Sequence, residues 1–114
     1  MTDCIFCKIA AGEIPATKVY DDGEVLAFRD INPEAPVHLL VIPRRHIATL
    51  NDLTEADAAL IGRLYLAAKQ VATELGVAEN GYRTVINCNP DAGEAVPHLH
   101  MHLLAGRELG WPPG

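Results

Sequence analysis

The segment VPHLHMHLLAG, residues 96–106, sets His98, His100 and His102 at every second position, with Leu99, Met101 and Leu103 between them. Near neutral pH, imidazole can act as nucleophile, proton carrier or metal ligand, so its repetition at fixed spacing points to chemistry. Period two is the strand period, which puts the histidines on one face and the apolar residues on the other, with same-face neighbours about 6.6 Å apart. On a plain solvated strand nothing favours histidine over Thr, Lys or Glu. One reading is a metal cage, in which three histidines hold a catalytic zinc and the fourth position is left to water; the strand histidines and His38 supply four candidates. Such sites orient their imidazoles with carboxylates, and only Asp91 and Glu94 lie nearby in sequence. The other reading is a nucleophile. A neutral imidazole attacks phosphorus with one ring nitrogen, and does so better when the other donates to a carbonyl that fixes the tautomer. His100, with a histidine on either side, is the best-placed candidate.

These side chains need a rigid frame, and the chain has the patterns for one. CIFCKIAAGE suits a short helix before Pro15; TKVYDD and EVLAFRD flank a DDG turn and read as a hairpin; INPEAP is a loop by its prolines. HLLVIP, residues 38–43, is an apolar run that fits a buried strand. From about Thr54 to Leu75, apolar Leu60, Ile61, Leu64, Ala68, Val71, Ala72 and Leu75 follow the helical period, with Thr54 and Asp57 as a capping box and Gly76 as the stop. YRTVINC, residues 82–88, and HLHMHLL are the remaining strands. Several strands and one long helix predict an α+β domain whose antiparallel sheet is covered by the helix on its apolar side, leaving the histidine side to face a cleft.

The 114 residues suit a single domain, 1–114, with no repeat or linker. A net charge of −6 without a basic stripe argues against nucleic acid as partner. A small phosphorylated ligand needs only local donors and stays open. No stretch approaches about 18 apolar residues, and MTDCIF lacks the basic start and apolar run of a signal peptide. With three cysteines better suited to thiols or ligands than to disulfides, the expected compartment is the cytosol, with no membrane partner. Near the histidines, Gly93 sits in a loop where backbone N–H groups could approach phosphate, Asn87 ends a strand and Asp30 follows Phe28 at another; each alone fits a turn or solvated loop equally well.

HLHMHLL carries the His-φ-His-φ-His-φ-φ signature, φ being apolar, of the histidine triad superfamily. CIFCKIAAGEIPATKVYDD, LAFRDINPEAPVHLLVIPRRHI, GYRTVIN and GRELGWPPG resemble its Hint branch in order and spacing over nearly the whole chain. The resemblance implies a five-stranded antiparallel sheet with one long helix and a short N-terminal helix, assembled as a two-fold homodimer. It implies a purine nucleotide substrate and hydrolysis of adenosine 5′-phosphoramidates to AMP and amine through a nucleotidyl-histidine, with no cofactor needed for catalysis. Carried over, His100 is the nucleophile, and His38, His98 and His102 complete the catalytic set, with His102 near the scissile bond and His38 backing the nucleophile. Phe6, Ile9, Phe28 and Ile31 match the base pocket and Asp30 the ribose carboxylate; Asn87, Gly93, Glu94 and Ala95 match the phosphate segment. Trp111 matches the tail, residues 105–114, that packs at the dimer interface near the neighbouring site.

Two features depart from that pattern. Where many Hint relatives carry Ser next to Gln, this chain has Ala95 preceded by Glu94, so one proton route to the departing amine is missing and a like charge stands near the phosphate. The second is Cys4-x-x-Cys7, whose readings are redox chemistry, two buried thiols or a structural zinc site. Similarity to more distant histidine triad proteins and to galactose-1-phosphate uridylyltransferases supplies His46 and His98 as the other zinc ligands. Cys88 reads as a core residue. The sequence thus points to a purine nucleoside phosphoramidate hydrolase. A non-catalytic nucleotide-binding or regulatory module and a zinc-dependent hydrolase are the alternatives.

Overall fold

A computed structural model describes residues 3–114. Helix α1 (Ile5–Ala10) precedes strands β1 (Lys18–Asp21), β2 (Val25–Arg29) and β3 (Val37–Pro43); α2 (Ala58–Glu74), β4 (Tyr82–Val85), a single helical turn α3 (Asn89–Ala92) and β5 (Met101–Ala105) follow. The five strands form one antiparallel sheet in the order β1-β2-β3-β5-β4. The DDG turn closes the β1–β2 hairpin, where Asp22 accepts the Glu24 and Val25 N–H groups at 2.9 and 2.8 Å.

Both faces of the sheet centre are covered, which explains why β2 and β3 read as apolar runs rather than as alternation. On one face Val25, Ala27, Leu39, Val41, Met101 and Leu103 pack against Leu64, Ala67, Ala68, Val71 and Ala72 of α2. On the other, Leu26, Phe28, Leu40 and Ile42 meet Phe6 and Ile9 of α1. Each fully buried Leu or Ile stabilises the fold by about 1.5–3 kcal/mol. The long helix starts as expected: the Asp57 carboxylate accepts the Thr54 N–H at 2.9 Å, with residues Glu55–Asp57 forming a 3-10 turn before the α-helix proper. Among the described residues no helix is long and apolar enough to cross a membrane.

Four expectations change. β5 begins at Met101, not His98, because β3 pairs only as far as Val41↔Met101; yet the alternation persists, with Leu99 also in the helix-side core. β4 ends at Val85, not Cys88, because Val85 pairs with His102 and β5 runs out one residue further on. Cys88 is half-buried and belongs to neither apolar cluster. The tail starts at Gly106 rather than at residue 105, since Ala105 is still strand. Gly106 has φ +93°, and a Cβ there would come within 2.8 Å of the Pro36 side chain, so only glycine turns the chain out of the sheet.

Candidate active site

On the face opposite α2, a cleft of about 720 Å³ opens between α1, the ends of β2 and β3, and the segment before β5. Its apolar part includes Ile5, Phe6 and Ile9 of α1 with Phe28 and Leu40, and Asp30, Ile31, Ala95, His100 and His102 also line it. Phe6 anchors this wall, with its ring edge-on to Phe28 at 5.7 Å and to His100 at 5.1 Å. Of the residues expected around a nucleotide, Phe6, Ile9, Phe28, Asp30, Ile31 and Ala95 therefore meet in one cleft. Sequence reasoning missed Leu40, although it shares a β3 face with His38 two residues earlier, and Ile14–Thr17, which carry no distinctive signal.

Hydrogen bonds determine the proton positions on the ring nitrogens. His100 Nδ1 lies 2.7 Å from the His98 carbonyl oxygen; a carbonyl only accepts, so Nδ1 carries the proton and Nε2 keeps its lone pair. His38 Nδ1 accepts the Glu34 N–H at 3.0 Å, which puts the His38 proton on Nε2. That proton is donated to His102 Nδ1 at 2.9 Å, with an Asp30 carboxylate oxygen at 3.4 Å as a second acceptor. His102 in its neutral form then carries its proton on Nε2, with the His100 ring centroid 5.0 Å away. His38 thus backs His102 rather than His100, because strand pairing puts it opposite Leu104, beside His102; the support of His100 is a main-chain carbonyl.

Burial is the main cause that holds the His102 pKa down to about 4, helped by the nearby His100 and His38 and opposed by Asp30. An unfolded histidine binds its proton near 6.5, whereas native His102 does so only near 4. Its contribution to stability is therefore full at neutral pH and declines as pH falls from about 6.5 towards 4, by up to about 1.4 kcal/mol per pH unit. Urea unfolding at pH 7 and pH 5 should show the wild type losing more stability than His102→Gln over that interval. Equal losses would mean that His102 protonates like a solvated imidazole.

His98, expected among the catalytic groups, lies elsewhere. It is fully buried outside the cleft, and its Nε2–H donates to the Pro43 carbonyl at 2.9 Å, leaving Nδ1 bare. Burial also pushes its pKa down, with the nearby His46 and His100 adding to the effect and the Pro43 bond opposing it. That bare Nδ1 faces Cys4 Sγ at 3.3 Å, Cys7 Sγ at 3.4 Å and His46 Nδ1 at 3.2 Å, while Cys7 Sγ and His46 Nδ1 are 3.3 Å apart. A tetrahedral zinc with ordinary bond lengths needs about 3.3 Å between two nitrogens and about 3.5 Å between nitrogen and sulfur. The four groups fit that ion. Asp30, His38 and His102 also cluster. Their 2.9 Å nitrogen contact has the length of a hydrogen bond, and His38 Nδ1 is already an acceptor, so they fit a proton relay better than a metal.

Four residues expected at the ligand, Asn87, Gly93, Glu94 and Trp111, are not among those lining this chain's cleft. Gly93 turns back the α3 helical turn in the left-handed conformation, giving its N–H to Pro90 at 3.0 Å, while the Glu94 N–H goes to the Asn89 carbonyl at 3.2 Å. One Glu94 carboxylate oxygen accepts the Asn89 N–H at 2.9 Å, and the other is buried without a hydrogen-bond partner among the described residues. Asn87, beyond the end of β4, is half-buried and not among the lining residues. Trp111 is 82% exposed, its ring 5.9 Å from the Arg83 guanidinium, which also donates to the Gly110 carbonyl at 2.9 Å.

Known proteins resemble this chain over most of its length. The chain is 55% identical over 112 residues to an uncharacterized HIT-like protein of Synechococcus elongatus, covering 98% of this chain and 97% of the relative. It is 47% identical over 108 residues to the purine nucleoside phosphoramidase of Escherichia coli K12, covering 95% and 91% of the two chains. A HIT family hydrolase from Legionella pneumophila superposes with a TM-score of 0.97 at 54% identity, covering 98% of this chain and all of the other. A histidine triad protein from Clostridium difficile superposes at 0.94 with 46% identity and 96% coverage of both. With residues 11–109 also matching the HIT domain, the chain belongs to the HIT domain family.

Proposed function

We propose that this protein hydrolyses purine nucleoside phosphoramidates, adenosine 5′-phosphoramidate among them, to the nucleoside monophosphate and an amine. The observation that carries the reading is the 2.7 Å bond from His100 Nδ1–H to the His98 carbonyl, which leaves Nε2 as the lone-pair nitrogen at the cleft. Relatedness to the E. coli phosphoramidase at 47% identity supports the substrate class. His100 Nε2 attacks phosphorus, and the P–N bond breaks as the amine takes the Nε2 proton of His102 in its imidazolium form, which leaves that ring neutral with Nε2 bare. His102 Nε2 then takes a proton from the water that attacks the nucleotidyl-histidine, freeing His100 and releasing the monophosphate. Asp30, 3.4 Å from His38 Nε2, accepts that ring's proton while His102 is charged, and its carboxylate favours the imidazolium. The apolar wall around Phe6 and Phe28 takes the purine, and Asp30 accepts from the ribose hydroxyls.

With alanine at position 95 offering no hydroxyl, His102 is the proton donor to the leaving group in this reading. The same alanine motivates a second reading, a nucleotide-binding module without turnover. The Cys4, Cys7, His46 and His98 cluster takes a structural zinc, with the Pro43 carbonyl orienting His98. Bound there, zinc ties α1 to the rest of the fold and supplies no step of the reaction. The functional unit is a homodimer of the cytosol, in which the exposed Trp111 meets the partner; an exposed aromatic of this size fits an interface.

Mass spectrometry of protein mixed with adenosine 5′-phosphoramidate and quenched within seconds tests the reading. The expected product is an AMP adduct on the peptide carrying His100. AMP release without an adduct would favour metal-activated water, and bound substrate with neither adduct nor release would favour the binding module.

A further inference from the structure

The Cys4/Cys7 pair stands on the helix that forms the cleft wall, and the reaction above makes no use of its sulfur chemistry. Cys4 caps α1 and Cys7 lies in its first turn, with the Cys7 N–H donating to Cys4 Sγ at 3.4 Å. Both sulfurs belong to one cluster whose ligand atoms all lie within 4.8 Å of one another, and both side chains are half-buried rather than sealed. Between them is Phe6, 7% exposed, its ring edge-on to His98 at 5.9 Å and to His100 at 5.1 Å. The cluster on one side of α1 and the nucleotide wall on the other are thus joined within the four residues from Cys4 to Cys7.

We propose that Cys4 and Cys7 form a reversible disulfide that weakens nucleotide binding, making the cleft wall redox-sensitive. A peroxide oxidises one thiol to a sulfenic acid with loss of water; the second thiol displaces a second water and closes the S–S bond, and a dithiol reductant restores both thiols. Closure to about 2.05 Å takes both sulfurs away from the imidazole nitrogens they now touch and reshapes the first turn of α1, which carries Phe6. A zinc ion at the same groups would keep the sulfurs about 3.8 Å apart, so metal and disulfide exclude one another. The proposal rests on the nucleotide reading for its ligand. Linkage makes it reciprocal: if the disulfide weakens AMP binding by a given factor, AMP must favour the dithiol by the same factor.

The test uses full-length Cys88→Ser protein, so that the third cysteine cannot take part, with its bound metal left in place and its metal content measured before and after oxidation. AMP affinity is measured by calorimetry for the reduced protein and for protein treated with hydrogen peroxide, the Cys4–Cys7 bond being confirmed by peptide mapping. In parallel, the dithiol–disulfide equilibrium is set in glutathione buffers with and without AMP. The expected results are a loss of about tenfold in affinity on oxidation and an equal displacement of the redox equilibrium by AMP. Cys4→Ser should bind AMP equally before and after peroxide, and if that variant does not fold, the glutathione titration decides alone. Formation of the disulfide with AMP affinity and redox equilibrium both unchanged would overturn the proposal while leaving the nucleotide reading intact. Failure of a peroxide to join the two cysteines overturns it as well. Reduced protein that binds no AMP would refute the nucleotide reading itself, and the coupling with it.

Discussion

His100→Ala loses at least about a thousandfold in AMP release while still binding AMP and remaining folded. His100 contributes a lone pair at Nε2 that no neighbour replaces: the nearest imidazole, His102, accepts from His38 through Nδ1 and carries its proton on Nε2. Alanine removes the attacking atom and leaves the Phe6 and Phe28 wall and Asp30, which hold the base and ribose in the proposed complex. The loss therefore falls on kcat, with AMP affinity by calorimetry changing little. A variant that kept a tenth or more of the wild-type rate would put the nucleophile elsewhere.

Leu103→Ala should give the opposite pattern. Leu103 is fully buried, pairs with Leu39 and Thr84 on the flanking strands, and packs into the core beneath α2. Truncation of such a side chain leaves a cavity and costs about 2–5 kcal/mol, a large share of the 5–15 kcal/mol that usually stabilises a domain. The urea midpoint should fall with the denaturant slope unchanged, and the rate per folded molecule should stay within about twofold of wild type, because the histidine face is on the other side of the sheet. Together the two substitutions separate the two sides of one alternating segment, one side expected to carry chemistry and the other stability.

Much of this was legible in the chain. The alternation from His98 to Leu103 placed imidazoles and core groups on opposite sides, and Leu99 keeps to the core side even where the strand ladder does not yet exist. The stripe from Leu60 to Leu75 placed α2, and the apolar run of β3 marked a strand covered on both faces. These are local properties: the side-chain period depends only on backbone geometry, and burial then follows from which residues are apolar.

Partnership between distant residues was not local; the resemblance, not spacing along the chain, supplied His46 and His98 as partners of Cys4 and Cys7, and the fold brings those four together. Equal spacing made His98, His100 and His102 look equivalent, and the resemblance put His38 behind His100. In the folded chain β3 pairing carries His38 to His102, α1 and the segment after β3 bring Cys4, Cys7 and His46 to His98, and His100 is left with a carbonyl on Nδ1 and an open Nε2. Likewise, Gly93 and Glu94 stand beside the site in sequence, but a helical turn takes their N–H groups for its own closure. The amino-acid sequence by itself determined which residues could do chemistry, which face they would share and which face would be core. Which imidazole attacks, which donates and which joins the cysteines depends on hydrogen bonds between residues far apart along the chain, and those exist only once the sheet has brought the strands together.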